Sequence, residues 1–312
     1  MSFSVFMKRN WSYLAALLAG LLILLMHGNN YIMYVCTLVA IYAIGAMGLD
    51  IMCSWTGILV FCPSAFAILG GYTSALLMTK ANVPFLLAVL IAALIAGLVA
   101  MVVTYGALLM KKSFEVVVIT YAFEMVVYYI LTNWAWAGGS LGVRNIPYPS
   151  LFGLTLDSLV GQYILTFAML FIITIFVLLF YRSRSGLLIR ASKEDWELTE
   201  ALGNSVVRSR LIAFIIGAAL LGIAGSLYGF IIHTLTPSSF TWSMTVVFFM
   251  IIVLGGMGTV LGPIVGALII VGVPEALHAV GQWRLFIFGF LLVFAIIAFP
   301  KGVVGSILRG RV

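Results

Sequence analysis

Of the acidic residues inside otherwise apolar runs of this chain, Glu115 and Glu124 share one run, nine positions apart. At 1.5 Å per residue that is about 13 Å of helix rise, so the two cannot share one depth of a membrane. Lys111 and Lys112 place Glu115 at a charged end, where it pairs with them, and leave Glu124 as the deep carboxyl. An acidic side chain at a helix centre costs about 2.5–3.5 kcal/mol on insertion scales, so a deep one needs a reason. Two reasons are open: a neutral carboxyl hydrogen-bonded between helices, or a group facing a translocation path or a seam between subunits. Asp50 sits at the end of an apolar run and says less. Bond-making chemistry finds little support. His27, His233 and His278 are too scattered for a triad or a metal cluster and read as surface histidines. Cys36, Cys53 and Cys62 fall in apolar runs without metal spacing and read as small hydrophobes. No GxxxxGK[ST] phosphate loop occurs, since Gly106 to Lys112 lacks the second glycine.

The elements that must hold these residues are set by composition. The chain has 312 residues, 64% hydrophobic and 8% charged, against about 25% charged in soluble domains. A membrane-crossing helix needs about 20 mostly apolar residues, and many runs here reach that length. Those runs are continuous rather than alternating, so they read as helices and not barrel strands. The fold class expected is all-α: a polytopic transmembrane bundle of about ten spans (eight to ten), a single domain over residues 1–312. The spans fall near 12–26, 31–50, 58–79, 84–110, 114–133, 160–181, 211–232, 243–256, 261–280 and 285–300. The first follows Lys8 and Arg9 without a small-residue cleavage site before His27, so it reads as an uncleaved helix.

With the N-terminus inside and alternation thereafter, thirteen of the sixteen Lys and Arg fall on the inner side, leaving Lys80, Arg144 and Arg284 outside. That is the positive-inside pattern, and it puts both termini in the cytoplasm. The net charge of +7 therefore reports orientation, not nucleic-acid binding. An outer loop, about 134–160, holds Trp134, Trp136 and Tyr148; with Tyr163 these read as an interfacial belt or as a docking or gating surface.

Between Tyr181 and Leu211 an inner loop, about 182–210, concentrates six of the sixteen basic and four of the nine acidic residues. Ser192-Lys193-Glu194-Asp195 reads as a capping box, and Gly203-Asn204 as a helix stop. A short helix over Lys193–Leu202 is expected, with Leu198, Ala201 and Leu202 on one face and Trp196 paired with Glu200 on another. A helix of that length is marginal alone, so it packs either on its own membrane domain or into a cleft of a soluble partner.

Several motifs then line up in order. They are Ala191-Ser192-Lys193-Glu194-Asp195, Thr199-Glu200-Ala201-Leu202-Gly203, Gly222-Ile223-Ala224-Gly225 and Gly255-Gly256-Met257-Gly258 with Gly262-Pro263. Gly138-Gly139 with Asn145-Ile146-Pro147, Thr120, Phe123 and Glu124, and Phe299-Pro300-Lys301-Gly302 extend the series. The inner loop resembles the EAA-type loop of ABC importer permeases, and the whole set resembles the LivM-type branched-chain amino-acid permeases. The resemblance implies a permease half in a prokaryotic inner membrane, paired with a second permease, two cytoplasmic ABC ATPases and an extracytoplasmic solute-binding protein. It implies that Lys193, Glu194, Asp195, Trp196, Glu200, Ala201, Leu202 and Gly203 couple the ATPases to the pore. ATP and Mg belong to the partners; no cofactor is expected on this chain, which is no enzyme by itself. One departure touches the solute. The family reads close to TGxxSLGHAAF where this chain keeps Thr56-Gly57 and Ala65-Phe66 but carries Val60, Cys62 and Pro63. Urea or another small polar solute is therefore the alternative cargo.

Two apolar runs are broken by Gly or Pro in comparable places, Thr56-Gly57 to Pro63 and Gly255-Gly256-Gly258 to Pro263. Paired broken segments mark a path built from internal repeats, so these residues join Glu124 as candidates for the path. Ala218-Gly222-Ser226 and Gly225-Gly229 read as ordinary close helix packing. Of the other classes, an ion-coupled transporter or channel needs more deep charge than one Glu. An intramembrane enzyme needs convergent nucleophile and base, which the spacing withholds.

Overall fold

Apolar runs fold as helices where the sequence places them. The computed structural model describes residues 30–108, 113–151, 154–155, 157–276 and 302–309, with single positions at 289, 297 and 299. The expected spans 12–26 and 285–300 lie outside the described residues, those single positions apart, as do Lys8, Arg9, Lys111, Lys112, Arg284, Lys301, Arg311, His27 and His278. The helices are α1 (Asn30–Cys53), α2 (Pro63–Ala81), α3 (Phe85–Leu108), α4 (Ser113–Asn133), α5 (Leu159–Arg182), α6 (Arg184–Glu194), α7 (Trp196–Ala201), α8 (Val206–Ile232), α9 (Trp242–Gly255), α10 (Gly262–Ala267), α11 (Val273–Ala276) and α12 (Val303–Arg309). Six of them, α1, α3, α4, α5, α8 and α9 with its preceding turn, are long and apolar enough to cross a membrane. Among the described residues four two-residue strands occur, β1 (Val143–Arg144), β2 (Ser150–Leu151), β3 (Leu154–Thr155) and β4 (Thr234–Leu235).

Helix α8 is the centre, packed on α1, α2 and α3. Small residues allow this. A Cβ on Gly225 would stand 1.8 Å from the Ala67 carbonyl oxygen, so α2 and α8 touch backbone to backbone. Ser226 Oγ donates across the same contact to Gly70 O at 3.2 Å. The reading of Ala218-Gly222-Ser226 and Gly225-Gly229 as packing surface therefore holds. In α1 and α8, 67% and 61% of the most apolar stretch is buried, against 33% in α3 and 28% in α4, so the latter two form the periphery.

Three helix boundaries differ from expectation. Helix α2 begins at Pro63 rather than near 58, because the chain from Ile58 to Cys62 stays irregular and proline opens the helix at its first position. Helix α8 begins at Val206 rather than 211, capped by Ser205 Oγ accepting from Arg208 N at 3.3 Å; Arg208 and Arg210 thus ride on the helix, not in a loop. The expected span 261–280 is interrupted by a π turn, Leu268–Gly272, just before Pro274. Proline offers no N–H to the carbonyl four residues back, and the wider turn absorbs that mismatch.

The loop between α4 and α5 is tied to the turn after α8 and to the last turn of α2. Strands β1 and β4 pair antiparallel, Val143 opposite Leu235 and Arg144 opposite Thr234. His233 Nδ1 lies 2.9 Å from Ile146 O, and its ring meets Tyr148 edge-on at 4.3 Å, so this histidine is a clasp rather than a loose surface group. Lys80 Nζ donates to Trp136 O at 2.5 Å and sits 3.8 Å over that ring. Trp134, Trp136 and Tyr148 are exposed as a belt requires, but Tyr163 is buried on α5 beside Phe167 and is no part of it. Cys53 and Cys62 are buried and Cys36 is half-buried, all unpaired, as small hydrophobes.

Candidate functional site

The charged segment after α5 folds as two short helices, not one. Ser183 Oγ accepts from Gly186 N at 3.1 Å and starts α6. Arg190 folds α6 back on the end of α5: its guanidinium donates to Tyr181 O at 2.8 Å and lies 3.5 Å over the Tyr181 ring. Ser192, the expected cap, is buried inside α6 with its hydroxyl on Ile189 O at 2.7 Å. Asp195 is the cap instead. Its carboxylate accepts from Leu198 N at 2.9 Å, and a carboxylate suits the positive end of a helix. The stop is where the sequence put it, with Gly203 at φ 79 and its N–H on Glu200 O at 2.8 Å.

This segment is held from one side only. Arg210 of α8 lies 4.3 Å over the Trp196 ring and donates to Ser192 O at 3.1 Å. On the other side Leu198 and Leu202 are 57% and 71% exposed, and Lys193, Glu194, Glu200, Ala201 and Gly203 are exposed with them. Water-facing leucines on a six-residue helix give it no stability of its own.

At the foot of this segment the two broken stretches meet. Asp50, at the end of α1 and only 2% exposed, accepts from Trp55 Nε1 at 3.1 Å and from Gly258 N at 2.9 Å. Gly57, at φ 74, leaves room that Lys193 fills: a Cβ there would lie 2.8 Å from Lys193 Cγ. Thr56 hydrogen-bonds Met52 O and accepts from Ile58 N at 3.2 Å. Trp55 stacks on Phe180 at 5.8 Å and meets Tyr181 edge-on at 5.2 Å. In the second break Thr259 Oγ1 donates to Gly256 O at 2.7 Å and accepts from Gly262 N at 3.1 Å. Gly255 is buried against α10 and Gly256 against Gly302.

Glu124 belongs to a second cluster. It is 2% exposed; Oε2 accepts from Thr245 Oγ1 of α9 at 2.8 Å, while Oε1 has no hydrogen-bond partner. Ser64, next to Pro63 at the start of α2, faces the carboxyl but forms no well-aligned hydrogen bond with it. One turn earlier Thr120 Oγ1 accepts from Phe61 N at 3.0 Å. The Phe61 ring stacks on Trp242 at 5.2 Å and Phe249 at 4.9 Å, and Tyr121 meets Trp242 at 5.3 Å. The first break is thus pinned at both ends, by Asp50 and by Thr120. Of the residues expected on a path, Gly258 is joined through Asp50 to Trp55, the chain neighbour of Thr56, and Pro63 adjoins Ser64, which faces Glu124. Sequence reasoning passed over Asp50, Trp55 and Thr245. The spacing of Asp50 and Trp55 carried a faint signal, but partners 121 and 208 residues away carried none.

Among the described residues no group of His, Cys, Asp or Glu can hold a metal ion. The sequence model of the family described as "Branched-chain amino acid transport system / permease component" matches residues 31–296. The chain is 28% identical over 292 residues to the high-affinity branched-chain amino acid transport system permease protein LivM of Escherichia coli, covering 86% of this chain and 68% of that one. It is 30% identical over 183 residues to the permease protein LivH of Salmonella typhimurium, covering 53% and 57% of the two chains. It is 28% identical over 243 residues to a probable branched-chain amino acid transport permease protein LivH of Methanocaldococcus jannaschii, covering 74% and 75%. No solved structure matches it. With its family model running through nearly all the described helices, this chain belongs to the family of permease components of branched-chain amino acid transport systems.

Proposed function

We propose that this multi-pass membrane protein is the permease half of an ABC importer that carries branched-chain amino acids into a prokaryotic cell. Ten spans with both termini cytoplasmic complete the reading. The single observation that carries the coupling role is the α6–α7 segment, anchored through Arg190 and Arg210 yet presenting Leu198 and Leu202 to water. Apolar side chains so displayed belong in a partner's cleft, and a cytoplasmic ATPase is the partner with work to deliver. Two such ATPases, a second permease and an extracytoplasmic solute-binding protein complete the complex; ATP and Mg are theirs.

The path runs, in this reading, beside the first break, where Phe61, Trp242 and Tyr121 offer an aromatic surface to an aliphatic side chain and Glu124 lies next to it. Val60, Cys62 and Pro63, the positions that depart from the family, are all buried. They fill space between helices and give no support to urea or another small polar cargo.

Glu200→Arg places a cation beside Arg210 and on the presented face of α7. The expected result is loss of co-purifying ATPase subunits and of leucine uptake in proteoliposomes. A complex that survives this change with uptake intact would sink the assignment of the segment.

A further inference from the structure

The contacts around Asp50 form a continuous mechanical connection that the two clusters, taken separately, do not suggest. Its carboxylate takes one donor from the first break, Trp55 Nε1, and one from the second, Gly258 N. Trp55 in turn lies against Phe180 and Tyr181, and Tyr181 is the platform for Arg190 of α6. Lys193, at the end of α6, rests its stem in the space left by Gly57. Every link from the charged segment to both breaks is therefore a direct contact. Beside the second break, among the described residues, a cavity of about 190 Å³ lined by Tyr181, Arg182, Gly258, Thr259, Leu261 and Val304 leaves space for it to shift.

We propose that Asp50 is a positioning residue that yokes the two breaks into one gate, so that a displacement of α6 moves both together. The inference rests on the reading of α6–α7 as the coupling segment and adds what receives the motion. Each break is held by its own carboxylate oxygen, Trp55 Nε1 on Oδ2 and Gly258 N on Oδ1. Asparagine keeps an acceptor for only one of the two donors, and alanine leaves both N–H groups buried without acceptors, which is costly.

The test uses the full transporter in proteoliposomes and reads solute taken up per ATP hydrolysed. Asp50→Ala is expected to keep its ATPase subunits and hydrolyse ATP while that ratio falls about tenfold or more; Asp50→Asn, left with one acceptor oxygen for two donors, is expected to fall about threefold or more. Wild-type coupling in Asp50→Ala overturns the proposal. So does an Asp50→Asn that couples as wild type does, since one of the two donors would then be dispensable. Should Asp50→Ala fail to assemble, Trp55→Phe decides, because it removes one donor and keeps the ring: a lowered ratio supports the yoke, and an unchanged ratio overturns it. Glu200→Arg run in parallel separates the two claims. Retained ATPase there sinks the coupling segment itself, whereas its loss together with normal coupling in Asp50→Ala sinks only the yoke.

Discussion

At the scale of single residues, two buried carboxyls do different work. Asp50 spends both oxygens on N–H donors, while Glu124 uses one on Thr245 and leaves the other without a partner. A buried carboxyl with an idle oxygen is an expensive arrangement unless something else visits it. Glutamine at 124 keeps an acceptor for Thr245 and removes the charge, so the variant is expected to reach the membrane at wild-type level. Leucine uptake by it is expected to drop about fivefold or more, measured at equal expression. Equal uptake would leave Glu124 as an interhelical hydrogen bond alone. That Glu124 is deep was legible in the sequence, from the lysines that draw Glu115 away from it. That Thr245 meets it was not, because the two are 121 residues apart and nothing local couples them. The helix cap failed differently: Ser192 and Asp195 are both good caps, and the fold of α6 onto Tyr181 chose between them.

At the scale of elements, the long apolar runs among the described residues fold as helices, six of them long and apolar enough to span, because a membrane leaves the backbone few options, and the breaks at Gly57 and Gly258 were visible as glycines. What sequence could not supply was the meeting of those breaks, which depends on α9 and α10 packing against α1. The contact of α2 with α8 is the firmest test of the packing. Gly225→Val drives a branched side chain into the Ala67 carbonyl and is expected to cost about 1–3 kcal/mol or more, seen as a lower melting temperature in detergent. Gly106→Ala, where a Cβ meets nothing within 4 Å, is the control. It is expected to be neutral or to stabilise by up to about 1 kcal/mol, since glycine weakens a helix interior. Equal melting of the two variants would mean that α2 and α8 are not in backbone contact.

At the scale of the whole molecule, the clasp around His233, Lys80 and Trp136 lies at one end of the bundle and the segment carrying Lys193, Trp196 and Arg210 at the other. Cysteine substituted at Trp134 is expected to react with an impermeant maleimide from outside intact cells. Cysteine at Leu202 is expected to react only after the membrane is opened. Labelling of both from the same side would refute the proposed orientation.

Helix α8 joins those two ends. It runs for 27 residues, about 40 Å at 1.5 Å per residue, from the Ser205 cap and Arg210 to the turn at His233. Under the proposed function and orientation, cargo handed over outdoors and nucleotide spent indoors would push on opposite tips of a single stiff strut. In the proposed complex, a tilt of this one rod would be felt at both tips at once.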